Sequence, residues 1–195
     1  LPAQEEADRG GGYFIRHRGI GIVIDPGYDF IENFYRAGGV MADITDIIIT
    51  HAHDDHTAEF ESLMMLLHQR HKMLRETGTP ARRVRLYLSE GAQRKFAGLL
   101  PLRNDSRIEG VTTLSRQEAG SRQVIPLAEG VSLTVLPAYH DDIITGDSAV
   151  GLGFRFVCGG ETVRTVVFTG DSGYYPRKLS PSGEPEHYDT DKTRP

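Results

Sequence analysis

The feature that most constrains this chain is the segment THAHDDHT, residues 50–57, which follows the apolar run DIIIT. Three histidines and two aspartates fall within six positions, directly after a β-branched run that is typical of a strand covered on both faces. Buried charged groups are costly unless they are paired or bind an ion. The segment therefore predicts a strand that ends in a polar crevice.

The H-x-H-x-D-H spacing of this segment suits metal binding. In an extended chain His51 and His53 point to the same side, and a following helical turn aims Asp55 and His56 at a second position. Neutral imidazole and carboxylate suit Zn²⁺, and Mn²⁺ or Fe are also compatible. Asp54 falls between the ligand positions, and we predict that it points away from the metals. The alternative is that these histidines are separate capping or surface residues.

Polar residues also stand at the ends of other predicted strands. Asp25 ends the strand in GIGIVIDPG, His140 ends VSLTVLPAYH, and Asp171 follows TVVFT. In layered α/β domains ligands gather in the crevice beyond the strand ends, and these are metal-ligand residue types. We therefore expect Asp25, His140 and Asp171 to lie near the histidine segment, with Asp171 able to bridge two ions.

The order of elements predicts the fold class. Strands are followed by a helix, a strand, a helix, a strand and a helix, and then by further strands. This order predicts a layered α/β domain with two sheets between helices. Residues 103–122 are polar and are expected to be mostly loop. Residues 176–195 are polar and Pro-rich without periodicity, and they are expected to form an irregular tail.

At these motifs the sequence resembles the metallo-β-lactamase superfamily. VIDPG with Asp25 resembles the first motif of the family, THAHDDH the second, His140 the third, and FTGD with Asp171 the fourth. The resemblance extends from about Gly10 to Tyr175. It implies a four-layer αββα sandwich, incomplete at the C-terminus, with a hydrolase domain over residues 1–175.

The resemblance also implies two divalent metal ions, with Zn²⁺ favoured over Mn²⁺ or Fe. The implied ligands are His51, His53 and His140 for the first ion, Asp55 and His56 for the second, and Asp171 as the bridge. Asp25 and Asp55 would belong to the catalytic machinery, with Asp25 orienting a ligand or the loop.

One departure from the family pattern bears on the second ion. The family usually has a fifth motif, a histidine on a strand well beyond the fourth. Only His187 follows Asp171, and it lies in EPEHYDT, which lacks strand character. We expect that the chain stops before the fifth motif and that the second metal site is incomplete.

The implied chemistry is hydrolysis by a metal-bound hydroxide. VGLGFRF followed by TVVFTGDS resembles the phosphodiesterase and ribonuclease Z-like branches. Residues 70–95 carry eight Lys/Arg against two acids, which suits either a solvated helix face or a surface for phosphates. We expect a phosphodiester substrate, either a small molecule or nucleic acid. The alternatives are a lactone, thioester or β-lactam substrate, and a degenerate metal-binding scaffold without catalysis.

Composition limits the partners and the cellular compartment expected for the protein. The net charge is −5, so the whole chain is not a general binder of polyanions. Cys158 is the single cysteine, which excludes an internal disulfide and fits a reducing compartment. With no signal peptide and no apolar run near the roughly 20 residues of a membrane span, we expect a cytoplasmic protein without a membrane partner. The oligomeric state stays open.

Overall fold

The computed structural model describes residues 11–98, 108–115, 122–141, 148–159, 162–171, 178–179 and 185–186. Within these ranges the chain forms two main sheets and four α-helices. None of the helices in this part of the chain is both long and apolar enough to cross a membrane. The expected boundary near residue 175 falls outside the described residues and stays a prediction.

The first sheet contains five strands in the order of the sequence. These strands are β1 (Tyr13–His17), β2 (Ile20–Ile24), β3 (Asp46–Ile49), β4 (Val84–Ser89) and β5 (Ile108–Leu114). β1 and β2 form an antiparallel hairpin, and β2 to β5 are parallel to one another. The carboxyl ends of the parallel strands therefore meet at one edge of the sheet.

The second sheet is antiparallel and also follows the order of the sequence. Its strands are β6 (Val124–Ala128), β7 (Val131–Asp141), β8 (Ser148–Gly159) and β9 (Thr162–Phe168). Two further short strands, β10 (Lys178–Leu179) and β11 (Pro185–Glu186), pair as a separate ribbon. The tail expected over 176–195 is described only at these four positions.

The helices cover one face of the first sheet. They are α1 (Phe30–Arg36), α2 (Asp54–Thr57), α3 (Phe60–Glu76) and α4 (Glu90–Lys95), with a short 3-10 helix at Met41–Asp43. Successive residues of β3 serve opposite layers: Ile47 and Ile49 pack among the helices, whereas Ile48 packs against the second sheet. The prediction that both faces of this apolar run are covered is thus confirmed.

One expectation about loops needs correction. Residues 103–122 were expected to be mostly loop, but Ile108–Leu114 forms β5 at the edge of the first sheet. Only Ile108 and Leu114 are buried in this strand, and its other residues keep contact with solvent. β6 is likewise an edge strand, and it accommodates Pro126, which lacks an N–H for pairing. The polar residues of β5, namely Glu109, Thr112 and Thr113, are accommodated because an edge strand keeps much of its surface in water.

A buried ion pair lies between the sheets, far from the carboxyl edge. Asp46 is fully buried, and Arg85, its register partner on β4, binds both carboxylate oxygens at 2.8 and 3.0 Å. The Thr45 hydroxyl donates to the same carboxylate at 2.6 Å. Tyr87 is 3% exposed on the same face of β4, and burial, followed by the Asp46 charge, raises its pKa to about 12.

We predict that Arg85→Met destabilises the protein strongly. Removing one member of a buried ion pair leaves the other charge uncompensated, which costs about 3–5 kcal/mol of unfolding free energy. Arg16→Met is the matched control, because Arg16 pairs with Asp43 at 3.1 Å but is 68% exposed, and such pairs are worth about 0–1 kcal/mol. Urea denaturation of both variants measures the difference. Equal losses would contradict the assignment of a buried charge at Asp46.

Candidate metal centre

Four strand ends converge on one crevice between the two sheets. β2 leads into Asp25, β3 into His51, β7 carries His140 near its end, and β9 is followed by Asp171. The sheets are joined there directly, because the Val150 N–H at the start of β8 donates to the Thr50 carbonyl at 3.2 Å. The side chains that the sequence places at separate strand ends are therefore neighbours in space.

The first group of metal-binding side chains consists of His51, His53, His140 and Asp171. One donor atom from each lies within 4.8 Å of the others. His53 Nδ1 lies 3.1 Å from both His51 Nε2 and His140 Nε2. Asp171 Oδ2 approaches His51 Nε2 at 3.8 Å and His140 Nε2 at 4.0 Å. The four donors thus face a common point.

The second group consists of Asp55, His56 and Asp171, again with donor atoms within 4.8 Å of one another. His56 Nε2 lies 3.2 Å from Asp171 Oδ1 and 3.6 Å from Asp55 Oδ2. Asp171 therefore turns one oxygen towards each group. This is the arrangement that a carboxylate shared between two ions requires.

The Asp25 carboxylate fixes the hydrogen positions on two of the histidines. Its Oδ2 accepts from the Thr50 hydroxyl at 2.6 Å and lies 3.0 Å from His56 Nδ1, while its Oδ1 accepts from the Thr50 N–H at 2.7 Å. The only hydrogen of the Thr50 hydroxyl goes to Asp25, so at 3.2 Å this oxygen can only accept from His51 Nδ1. Each ring thereby directs Nε2 towards the crevice, His56 through Asp25 and His51 through Thr50.

The backbone around Asp25 has little freedom. Asp25 has φ 50°, in the left-handed region that Asp and Asn tolerate better than most residues. Two residues later, an added Cβ on Gly27 would lie only 1.6 Å from the Asp55 carbonyl oxygen. The loop after β2 thus packs directly on the helical turn that carries Asp55 and His56, which explains the Gly in VIDPG.

The charges in the crevice shift three pKa values. Burial, and then the neighbouring His56, lowers the pKa of His51 to about 4. Burial opposes protonation of His56 as well, but hydrogen bonds to Asp171 and Asp25 outweigh it and raise that pKa to about 10. The hydrogen bond from His56 lowers the pKa of Asp171 to about 2, against the effect of burial.

The donor set fits divalent cations. Imidazole nitrogens and carboxylate oxygens are typical of Zn²⁺, Mn²⁺ and Fe sites. Two nitrogens bound tetrahedrally to one Zn²⁺ lie about 3.3 Å apart, and the two nearest histidine pairs here are 3.1 Å apart. The side chains are thus spaced for metal binding without large rearrangement.

The structure brings together every side chain expected at the site. The six predicted ligands, namely His51, His53, Asp55, His56, His140 and Asp171, form the two groups, and Asp25 lies directly behind them. Asp54 is in neither group and is 67% exposed, as predicted. His187 lies outside the described residues, so its role stays open. Thr50 was missed, although its position beside His51 was the available signal.

Half of the basic side chains over residues 70–95 bind other groups of the protein itself. Arg82 donates to the Gly19 carbonyl at 2.5 Å, Arg83 to the Ile108 carbonyl at 2.7 Å, and Arg85 binds Asp46. Lys95 binds the loop of the metal centre at Ala52, Asp54 and Thr57. Four of the eight cations therefore stabilise the fold and have partners other than an external phosphate.

The sequence matches a known family. Residues 21–189 match the model of the Beta-lactamase superfamily domain, which is most of the chain and includes all four motifs. None of the curated proteins compared with this chain matches it.

Solved structures share the fold at low sequence identity. The metallo-beta-lactamase fold protein YhfI from Bacillus subtilis has a TM-score of 0.57 at 18% identity, covering 84% of this chain and 55% of its own. Human tRNase Z, short form, has a TM-score of 0.60 at 14% identity, and the match covers 83% of this chain and 62% of the tRNase Z chain. FEZ-1 metallo-beta-lactamase from Legionella gormanii has a TM-score of 0.51 at 16% identity, and the match covers 87% of this chain and 61% of the FEZ-1 chain. The chain thus spans under two thirds of these proteins, and the likeness confirms the predicted sandwich fold.

We predict that stability of the metal-free protein has a maximum near neutral pH. Between pH 6.5 and about 10 the folded His56 keeps a proton that the unfolded chain has lost, so the unfolding free energy falls as the pH rises. Between pH 6.5 and about 4, His51 gains a proton in the unfolded chain but not in the folded protein. The unfolding free energy therefore falls as the pH drops. Urea denaturation of chelator-treated protein across this range measures both limbs. His56→Gln should flatten the alkaline limb and also weaken the acid limb, because His56 helps to lower the pKa of His51. An unchanged alkaline slope would contradict the assignment.

We predict that alanine at two adjacent positions has very different effects on metal content. His53→Ala removes a donor that faces both His51 and His140, so bound metal should fall sharply. Asp54→Ala removes a carboxylate that is in neither group and binds Lys95 instead, so most metal should remain. Elemental analysis after gel filtration measures the metal per chain. Equal loss in the two variants would show that the ligand assignment is wrong.

Proposed function

Because this chain belongs to the Beta-lactamase superfamily domain family, we propose that it is a metal-dependent hydrolase that acts on a phosphodiester. The observation that carries the proposal is the pair of donor groups that share Asp171. Two adjacent ions can hold both the attacking and the leaving oxygen of a displacement at phosphorus. The family supports hydrolysis in general, and the phosphodiester is the finer part of the proposal.

The chain's own residues have distinct roles in this proposal. His51, His53 and His140 would hold one ion, Asp55 and His56 a second, and Asp171 would be shared. Divalent ions bound there would lower the pKa of a bound water towards neutrality and stabilise negative charge on the substrate.

Asp25 accepts from Nδ1 of His56 and, through Thr50, holds a hydrogen on Nδ1 of His51, so Nε2 is the nitrogen of each ring that would bind an ion. Asp55 is 59% exposed at the open side of the crevice, where a substrate would approach.

The substrate class rests on two supports. The hairpin of β8 and β9 that leads to Asp171 has the sequence that resembles phosphodiesterase branches of the superfamily. A neighbour in fold is named a tRNase Z, and we extend a phosphodiester substrate to this chain by analogy. Because half of the basic segment binds the protein itself, we favour a small phosphodiester over a long nucleic acid. The cytoplasmic location stays part of the proposal.

We predict that the purified protein hydrolyses bis(p-nitrophenyl) phosphate in the presence of Zn²⁺ or Mn²⁺. A chelator should abolish turnover, and re-addition of metal should restore it. Asp171→Asn should lower kcat by more than the roughly 10- to 100-fold typical of groups that only support a ligand. Release of p-nitrophenol measures the rate, and the matched control is Glu61→Gln at an exposed position in the first turn of α3.

Other outcomes would redirect the proposal. Turnover of a chromogenic cephalosporin or a lactone in preference to the phosphodiester would reject the substrate but keep the hydrolase. One structural ion, or none, with no turnover of any of these probes would favour a scaffold without catalysis. RNA oligomers tested in parallel distinguish a nuclease from a small-molecule phosphodiesterase.

A further inference from the structure

The ammonium group of Lys95 lies directly behind the loop that carries the metal-binding residues. Its Nζ donates to the Ala52 carbonyl at 2.8 Å, to Asp54 Oδ1 at 2.5 Å and to Thr57 Oγ1 at 2.7 Å. A lysine ammonium has three N–H donors and no acceptor, so these three contacts use all of them. The side chain is only 23% exposed.

The three acceptors alternate with the donors of the metal centre along the chain. Ala52 stands between His51 and His53, Asp54 stands between His53 and Asp55, and Thr57 follows His56. One cation therefore binds the loop at three points through groups that are not among the candidate metal ligands. These contacts restrict the backbone from which the ligand side chains project.

Thr57 extends this contact to one of the donors. Its hydroxyl accepts from Lys95 and donates its own hydrogen to the His53 carbonyl at 2.8 Å. His53 is the residue whose ring lies 3.1 Å from two other histidines. Its backbone is thus held by a chain of two hydrogen bonds that begins at Lys95.

Lys95 is itself held by a supported element. It is the last residue of α4, whose first turn is capped by the Ser89 hydroxyl, which accepts from the Ala92 N–H at 3.2 Å. The next residue, Phe96, is 4% exposed, and its ring lies 4.7 Å from that of Phe60 at the start of α3. The lysine therefore projects from a packed helix end onto the loop.

We propose that Lys95 is a positioning residue of the metal centre, which sets the conformation of residues 51–57 for metal binding. The inference rests on the proposed function, because it assigns Lys95 a role in the same centre. A metal site requires its donors to be held within about 0.5 Å of the productive geometry. Three hydrogen bonds to one loop supply that restraint, whereas a simple surface pair with Asp54 would be worth only about 0–1 kcal/mol.

The test compares metal affinity in wild type and Lys95→Met, which keeps the length of the side chain but removes every donor. Competition with a chromophoric chelator measures Zn²⁺ affinity, and the visible spectrum of the Co²⁺-loaded protein reports the ligand geometry. We expect an affinity loss of roughly 10- to 100-fold and an altered Co²⁺ spectrum. Lys72→Met, at an exposed position on α3, is the matched control and should behave as wild type.

Two further variants separate positioning from general stability. Asp54→Asn leaves two of the three acceptors unchanged, and its loss of affinity should stay within about fivefold. Lys95→Cys in a Cys158→Ser background, alkylated with 2-bromoethylamine, restores an ammonium at nearly the original reach. Alkylation should recover both the metal affinity and the Co²⁺ spectrum, which would show that the lost donors and not the substitution itself caused the change. Lys95→Gln is measured in parallel, so that the result does not depend on a single variant folding.

The outcomes distinguish this inference from the proposed function. Wild-type protein that binds metal and turns over substrate, with Lys95→Met and Lys95→Gln binding metal equally tightly, would overturn the inference alone. Failure of alkylation to restore affinity would also overturn it. Wild-type protein that bound no metal would overturn the proposed function, and the inference with it.

Discussion

The candidate metal centre depends on one buried carboxylate. Asp25 is 6% exposed, and it receives hydrogen bonds from the backbone and hydroxyl of Thr50 and from the ring of His56. Through these bonds it links the ends of β2 and β3 to the helical turn that follows. It also decides which nitrogen of two imidazoles carries a hydrogen. A single anion thus sets both the backbone path and the chemistry of the side chains in front of it.

The sequence predicts the centre better than its surroundings, for a physical reason. The histidine segment is local, and strand ends gather at one edge of a sheet, so the six candidate ligand positions can be inferred from spacing and strand pattern. Lys95 lies 38 residues from Thr57, and no local pattern marks such a contact. Likewise, β5 was taken for loop because an edge strand that keeps most of its side chains in water has little apolar alternation to detect.

Four of the eight basic side chains over residues 70–95 make contacts within the protein. The basic stretch over residues 70–95 looks like a phosphate-binding surface in the sequence, yet Arg82 and Arg83 bind carbonyl oxygens of neighbouring turns and strands. Arg85 neutralises an acid between the sheets, and Lys95 binds the loop of the centre. A local count of charges therefore overstates the field that a substrate would meet. The packing of β4 and α4 determines which groups these basic side chains contact.

Tyr87 gives the contact between the sheets an optical reporter. The chain contains no tryptophan, so its ultraviolet emission comes from its eight tyrosines. Phenols in water ionise near pH 10, whereas burial beside Asp46 raises the pKa of Tyr87 to about 12. In mild alkali, the fluorescence of un-ionised tyrosine would therefore come increasingly from Tyr87, which lies between the two sheets. Its loss would then report the separation of the sheets themselves.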